Sequence, residues 1–171
     1  LKIKRQLTLD TSVGINIYDT FDNFTNASYS EIPRVRSDIQ RYLDEGKNHI
    51  QRMQFTYFSS PYKDVFLRLD LGLFEEMFGG YGGELLYRPF NKRRAFGLSM
   101  HRVKQRDYDQ RFAFRDYETT TGHFSIYQEL PKGVLANMSF GKYLAGDKGV
   151  TLDLSRRFKT GFILGVFASK T

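Results

Sequence analysis

The chain contains no cysteine, no tryptophan and no long apolar run. Without cysteine, disulfides, thiolate metal ligands and a cysteine-linked lipid are all excluded from these 171 residues. Without a stretch of roughly 18 apolar residues, helical membrane spanning is excluded too. Spanning by β-strands, which are half polar, is not. The opening Leu1-Lys2-Ile3-Lys4-Arg5 lacks the apolar core and cleavage pattern of a signal peptide, and Ala168-Ser169-Lys170-Thr171 lacks a terminal aromatic. From these ends we expect an interior piece of a longer protein. His49, His101 and His123 have no metal-ligand spacing, no Ser-His-Asp grouping can be argued, and no cofactor motif is legible, so no metal, cofactor or catalytic residue is expected.

What is present favours strands. Sixteen Phe and 11 Tyr bring the aromatic share to 16%, and Tyr is also a residue of membrane interfaces. The net charge is +7, from 26 basic and 19 acidic residues, which invites a polyanion: nucleic acid, lipid phosphate or an acidic polysaccharide. The charges are interspersed, as in Lys104-Gln105-Arg106-Asp107-Tyr108-Asp109-Gln110-Arg111, and no recognition-helix or RNP-like pattern occurs. Nucleic acid is therefore not expected as a partner.

Period-two alternation is clearest in four segments. Val65, Leu67, Leu69, Leu71 and Leu73 oppose Phe66, Arg68, Asp70, Gly72 and Phe74. Val134, Ala136, Met138 and Phe140 oppose Leu135, Asn137, Ser139 and Gly141; Val150, Leu152 and Leu154 oppose Thr151, Asp153 and Ser155. Phe162, Leu164, Val166 and Ala168 oppose Ile163, Gly165, Phe167 and Ser169. Weaker copies at 7–17, 52–57, 84–88, 96–101 and 123–127 bring the expectation to about nine strands of roughly 8–12 residues. A capping box, Ser37-Asp38-Ile39-Gln40, predicts one short helix from about Asp38 to Glu45, inside a long loop over 20–50. At two turns it requires something to pack on.

Short turns are expected at Phe90-Asn91-Lys92-Arg93, Pro131-Lys132-Gly133 and Lys159-Thr160-Gly161. Long connections are expected over Glu75 to Gly82, Asp107 to Gly122 and Leu144 to Gly149. In an up-and-down sheet this alternation places short turns at one rim and long loops at the other, as in an outer-membrane barrel. Alternation alone serves a soluble barrel or sandwich equally well. One-sided loops, strand length and a second face with few charges favour the membrane. We therefore expect an all-β fold: a single up-and-down antiparallel β-barrel segment of outer-membrane type, residues 1–171, contributing about nine strands to a larger barrel.

Several runs resemble the YjbH family of outer-membrane proteins of exopolysaccharide and capsule biosynthesis. They are Pro33-Arg34-Val35-Arg36-Ser37-Asp38, Glu75-Glu76-Met77-Phe78-Gly79-Gly80-Tyr81-Gly82-Gly83-Glu84, Tyr87-Arg88-Pro89-Phe90, the stretch from Gln105 to Phe112, Arg115-Asp116-Tyr117, Thr121-Gly122-His123 and the stretch from Tyr143 to Arg156. The resemblance implies a Gram-negative outer-membrane β-barrel, often a lipoprotein, in export or surface assembly of a polysaccharide. Its partners would be that polymer, acidic ones included, membrane lipid and other export proteins.

Candidate ligand contacts come from two places. In the loop after Lys104, Arg106, Asp107, Asp109, Arg111, Arg115 and Asp116 are interleaved with Tyr108, Phe112 and Phe114, which suits carboxylate forks and sugar stacking. The competing account is a loop pinned by its own ion pairs. On the mixed strand faces, Arg68, Asp70, Glu84, Arg88 and Asp153 are expected to pair across strands or to form a polymer track. The Gly79-Gly80-Tyr81-Gly82-Gly83 run reads as a hairpin loop rather than a phosphate cradle. A glycosidase or lyase using Glu75, Glu76, Asp70 or Glu84 remains the minor alternative, and a soluble glycan-binding module the other. The expected function is non-enzymatic.

Overall fold

A computed structural model describes residues 6–17 and 39–171. Nine strands form one antiparallel sheet in strict sequence order. They are β1 Leu7–Ile15, β2 Asn48–Tyr62, β3 Val65–Leu73, β4 Phe78–Tyr87, β5 Arg94–Arg106, β6 Phe114–Leu130, β7 Val134–Lys142, β8 Lys148–Arg157 and β9 Ile163–Lys170. One helix, α1 Ile39–Glu45, lies between β1 and β2. The all-β, up-and-down expectation holds, and the order is linear, so β1 and β9 are not neighbours and the nine strands do not close on themselves. The expected capping box straddles the boundary of the description, with Ser37 and Asp38 outside it.

The strands run further than expected. Glu75 to Gly82 is mostly strand, since β4 already begins at Phe78; only 74–77 connect it to β3. Asp107 to Gly122 shrinks likewise to 107–113, because β6 begins at Phe114. The glycine run has the composition of a loop. Its glycines instead sit where a neighbouring backbone passes close: a Cβ on Gly80 would collide with the Arg102 carbonyl oxygen. In β6, the run Tyr117-Glu118-Thr119-Thr120-Thr121 carries β-favouring residues that extend the ladder. A two-residue connection at Lys63-Asp64, with Asp64 at φ 63°, joins β2 to β3 and was not anticipated. The loop-length contrast between rims is thus weaker than the sequence suggests.

Backbone contacts divide the chain into two units. The first holds the described residues up to Tyr57 with 70–81 and 102–119; the second holds 58–69, 82–101 and 120–171. The first has an apolar core, made of Tyr42, Leu73, Met77, Phe78, Val103 and Tyr108. In the second, Ala95 is the one buried apolar side chain among the described residues.

The second unit shows why. In β6 to β9, each strand's apolar residues meet only their counterparts sideways: Phe124, Phe140 and Val150 share one row, Ile126, Met138, Leu152 and Ala168 the next, and Ala136, Leu154 and Val166 a third. Phe96 stacks on Phe124, ring centroids 6.3 Å apart. No second layer covers these rows among the described residues: Leu98 is 58% exposed, Leu152 41% and Val166 65%. A sheet face this apolar is stable only against something other than water.

Candidate functional site

The face opposite the greasy rows carries the polar chemistry. In the second unit, Arg68 pairs with Glu84 at 3.3 Å, as expected from alternate positions on adjacent strands. Arg88, just past β4, pairs with Glu129 at 2.8 Å, a residue 41 positions away that no local pattern indicates. Asp153 falls in register between Asn137 of β7 and Phe167 of β9. Strands β6 to β9 carry a row of hydroxyls: Ser125, Ser139, Thr151 and Ser169 are consecutive partners across four strands. Ser125 and Ser139 hydroxyls are 2.9 Å apart, Thr151 and Ser169 2.7 Å, and Tyr143 reaches Thr151 at 2.6 Å. His123 packs edge-on against Tyr143, centroids 4.7 Å apart. The row is legible in retrospect, because its members share the parity opposite to the apolar rows.

In the first unit, Asp70 is buried and accepts from Gln54 Nε2 at 2.8 Å and Thr56 Oγ1 at 2.9 Å. It is held by an amide and a hydroxyl of β2. Two residues before Gln54 on the same face of β2, Arg52 pairs with Asp10 at 3.6 Å and donates to the Phe74 carbonyl at 3.0 Å.

The connection between β5 and β6 is built around Arg106. Its side chain is 0% exposed, and its guanidinium donates to the backbone carbonyls of Glu75 (2.7 Å), Ile50 (2.8 Å), Gln110 and Arg111 (3.1 Å). Three segments of chain therefore converge on one cation. Tyr42 of α1, 1% exposed, inserts beside it. Its hydroxyl donates to the Arg106 carbonyl at 2.5 Å, and its own carbonyl receives Gln110 Nε2 at 2.6 Å. Tyr108 meets Tyr42 edge-on at 5.0 Å and lies under the guanidinia of Arg115 (4.3 Å) and Arg41 (5.1 Å). Thus α1, too short to persist alone, is held by a tyrosine plug.

Of the other loop candidates, Asp107 accepts from Arg115 at 3.4 Å and from the Tyr108 N–H at 3.0 Å, and Asp109 accepts from the Arg111 N–H at 3.0 Å. Arg111 and Asp116 are exposed. Arg102, nearby on β5, donates its Nε to Glu118 at 2.6 Å on the surface. The geometry combines pinning and display: Arg106 and Gln110 are consumed by backbone, while Arg111, Arg115 and Asp116 reach solvent.

Compared with known proteins, the whole chain, residues 1–171, matches the model of the YjbH family, described as exopolysaccharide biosynthesis protein YbjH. The chain belongs to the YjbH family. The lipoprotein YjbH of Escherichia coli (strain K12) is 39% identical over 162 residues, covering 91% of this chain and 23% of that relative. The chain therefore spans about a quarter of the length of the YjbH relative it matches. No solved structure matches it. The family's description names exopolysaccharide biosynthesis and assigns no role to the polar face or to its side chains.

Proposed function

We propose that this chain is a β-barrel segment of an outer-membrane protein that exports or assembles an exopolysaccharide at the cell surface without catalysing a reaction on it. The observation that carries the reading is the second unit's lack of an apolar core beside its uncovered rows of Leu, Val, Phe and Met. Exposed to water, such rows would drive aggregation; against acyl chains they cost nothing and leave the hydroxyl and ion-pair face inside. β7 and β8 contain 9 and 10 residues, the length a tilted strand needs to cross hydrocarbon. The family description supplies the polymer, and the relative's being a lipoprotein supports an envelope location. In lipid, the free edges of β1 and β9 must be paired, so the complete barrel draws on strands beyond these nine or on another copy.

The test is Leu69→Arg and Leu164→Arg in the full-length protein. Each should cost about 2–4 kcal/mol if near the bilayer midplane and reduce the folded, heat-modifiable form recovered in outer-membrane fractions. Unchanged assembly of both variants, or folding of the wild type without detergent, contradicts the reading. For the absence of catalysis, purified protein should not shorten the cognate polymer; turnover abolished by Glu76→Gln or Glu84→Gln would establish the opposite.

A further inference from the structure

Much of the net positive charge collects where β4, β5 and β6 reach their short turns, and part of it lines a cavity. The connection between β4 and β5 supplies Lys92 and Arg93, and Arg94 begins β5. These three line a cavity of about 210 Å³ together with Arg88, Glu84 and Glu129. Both carboxylates are already engaged, Glu84 by Arg68 and Glu129 by Arg88. Lys92 and Arg93 have no carboxylate partner among the described residues, and Arg94 is bonded to a neutral amide, Gln128 Oε1, at 2.9 Å. The cavity therefore keeps an uncompensated positive charge. Its remaining walls are Leu86, Ala95, Leu135 and the ring of Tyr127.

The backbone that carries these cations is fastened, while the Lys92 and Arg93 side chains are exposed. The Arg93 carbonyl accepts from the Glu129 N–H at 2.7 Å and from Gln128 Nε2 at 3.1 Å, fastening the turn to the end of β6. Asn91, at φ 63°, reverses the chain so that Lys92 and Arg93 follow directly onto β5. An aromatic and aliphatic wall beside cations on a fastened turn matches a ring with one apolar face and one anionic substituent.

We propose that this cavity binds one acidic sugar residue of the polymer, a hexuronate or a sugar bearing an anionic substituent, at the short-turn end of the polar face. The sugar ring lies against Tyr127 and Leu86, and its anion meets Lys92 and Arg93. This assignment rests on the exopolysaccharide reading above and adds to it the charge class of the polymer and the place where it first engages.

The experiment uses the full-length protein in detergent micelles, titrated with oligogalacturonate, with a neutral oligoglucoside of equal length and with inorganic phosphate. Oligogalacturonate should bind saturably and the neutral oligomer at least tenfold more weakly. Lys92→Ala and Arg93→Ala should each weaken uronate binding about tenfold, the loss of one charge-assisted hydrogen bond. Arg156→Ala, a cation outside the cavity that stacks on Phe158 at 4.6 Å, should leave it unchanged. Equal binding of both oligomers, or equal loss in all three variants, overturns the proposal. Phosphate binding without uronate binding reassigns the cavity to a phosphate-bearing group. Retention on anionic phospholipid vesicles that depends on Lys92 and Arg93, without uronate binding, assigns the cluster to lipid instead. A wild type that assembles in the membrane yet does not bind uronate counts against this inference alone. A wild type that folds without detergent yet binds uronate counts against the membrane reading alone.

Discussion

At the scale of single residues, the first unit depends on two side chains that are spent on backbone. Arg106 gathers four carbonyls, and Tyr42 joins the helix to them. Arg106→Met should leave those acceptors buried without a donor, at about 1–3 kcal/mol for each one that water cannot reach. Denaturant unfolding of the variant should therefore show a loss larger than for Arg111→Met, whose side chain is exposed. Tyr42→Phe should cost about 1 kcal/mol by removing the hydroxyl's bond to Arg106. Sequence alone placed Arg106 among sugar-binding candidates because an arginine between acids and aromatics suits that chemistry. What it could not indicate is that four backbone carbonyls from three separate segments converge there. Arg68 with Glu84 was readable from strand alternation, whereas Arg88 with Glu129 depends on the distant arrival of β6.

At the scale of elements, α1 and the β5–β6 connection form one assembly. Removing the plug with Tyr42→Ala should cost about 3–5 kcal/mol if the site cannot collapse. It should also free residues 39–47, so that limited proteolysis cuts there in the variant well before the wild type. Equal cutting rates would mean that the helix is held by something other than Tyr42. The strands themselves were the most legible elements, clearest in β3, β7, β8 and β9, whereas a bulge between Ser12 and Val13 shifts the register of β1. Their ends were not. Glycine-rich Gly79-Gly80-Tyr81-Gly82-Gly83 has the composition of a loop, and only the close approach of β5 shows that the missing Cβ atoms are what let two strands pair there. Lys63-Asp64 escaped for the opposite reason: a tight turn without glycine, accepted because Asp tolerates a positive φ.

At the scale of the molecule, the two faces of the second unit's strands β6 to β9 have opposite chemistry, and the greasy one has no protein cover among the described residues. The row Ser125, Ser139, Thr151 and Ser169 and the row Ile126, Met138, Leu152 and Ala168 belong to the same four strands, one residue apart. In the proposed reading, hydrocarbon on one side and an aqueous, sugar-compatible interior on the other account for both at once. The most direct measurement exploits the lack of native cysteine in this segment. A fluorophore is placed, one position at a time, on cysteines substituted at 150 to 154 of the full-length protein, which is then reconstituted in bilayers containing brominated lipid. The account predicts strong quenching at 150, 152 and 154 and little at 151 and 153. Uniform quenching, no quenching, or quenching at 151 and 153 instead would contradict it.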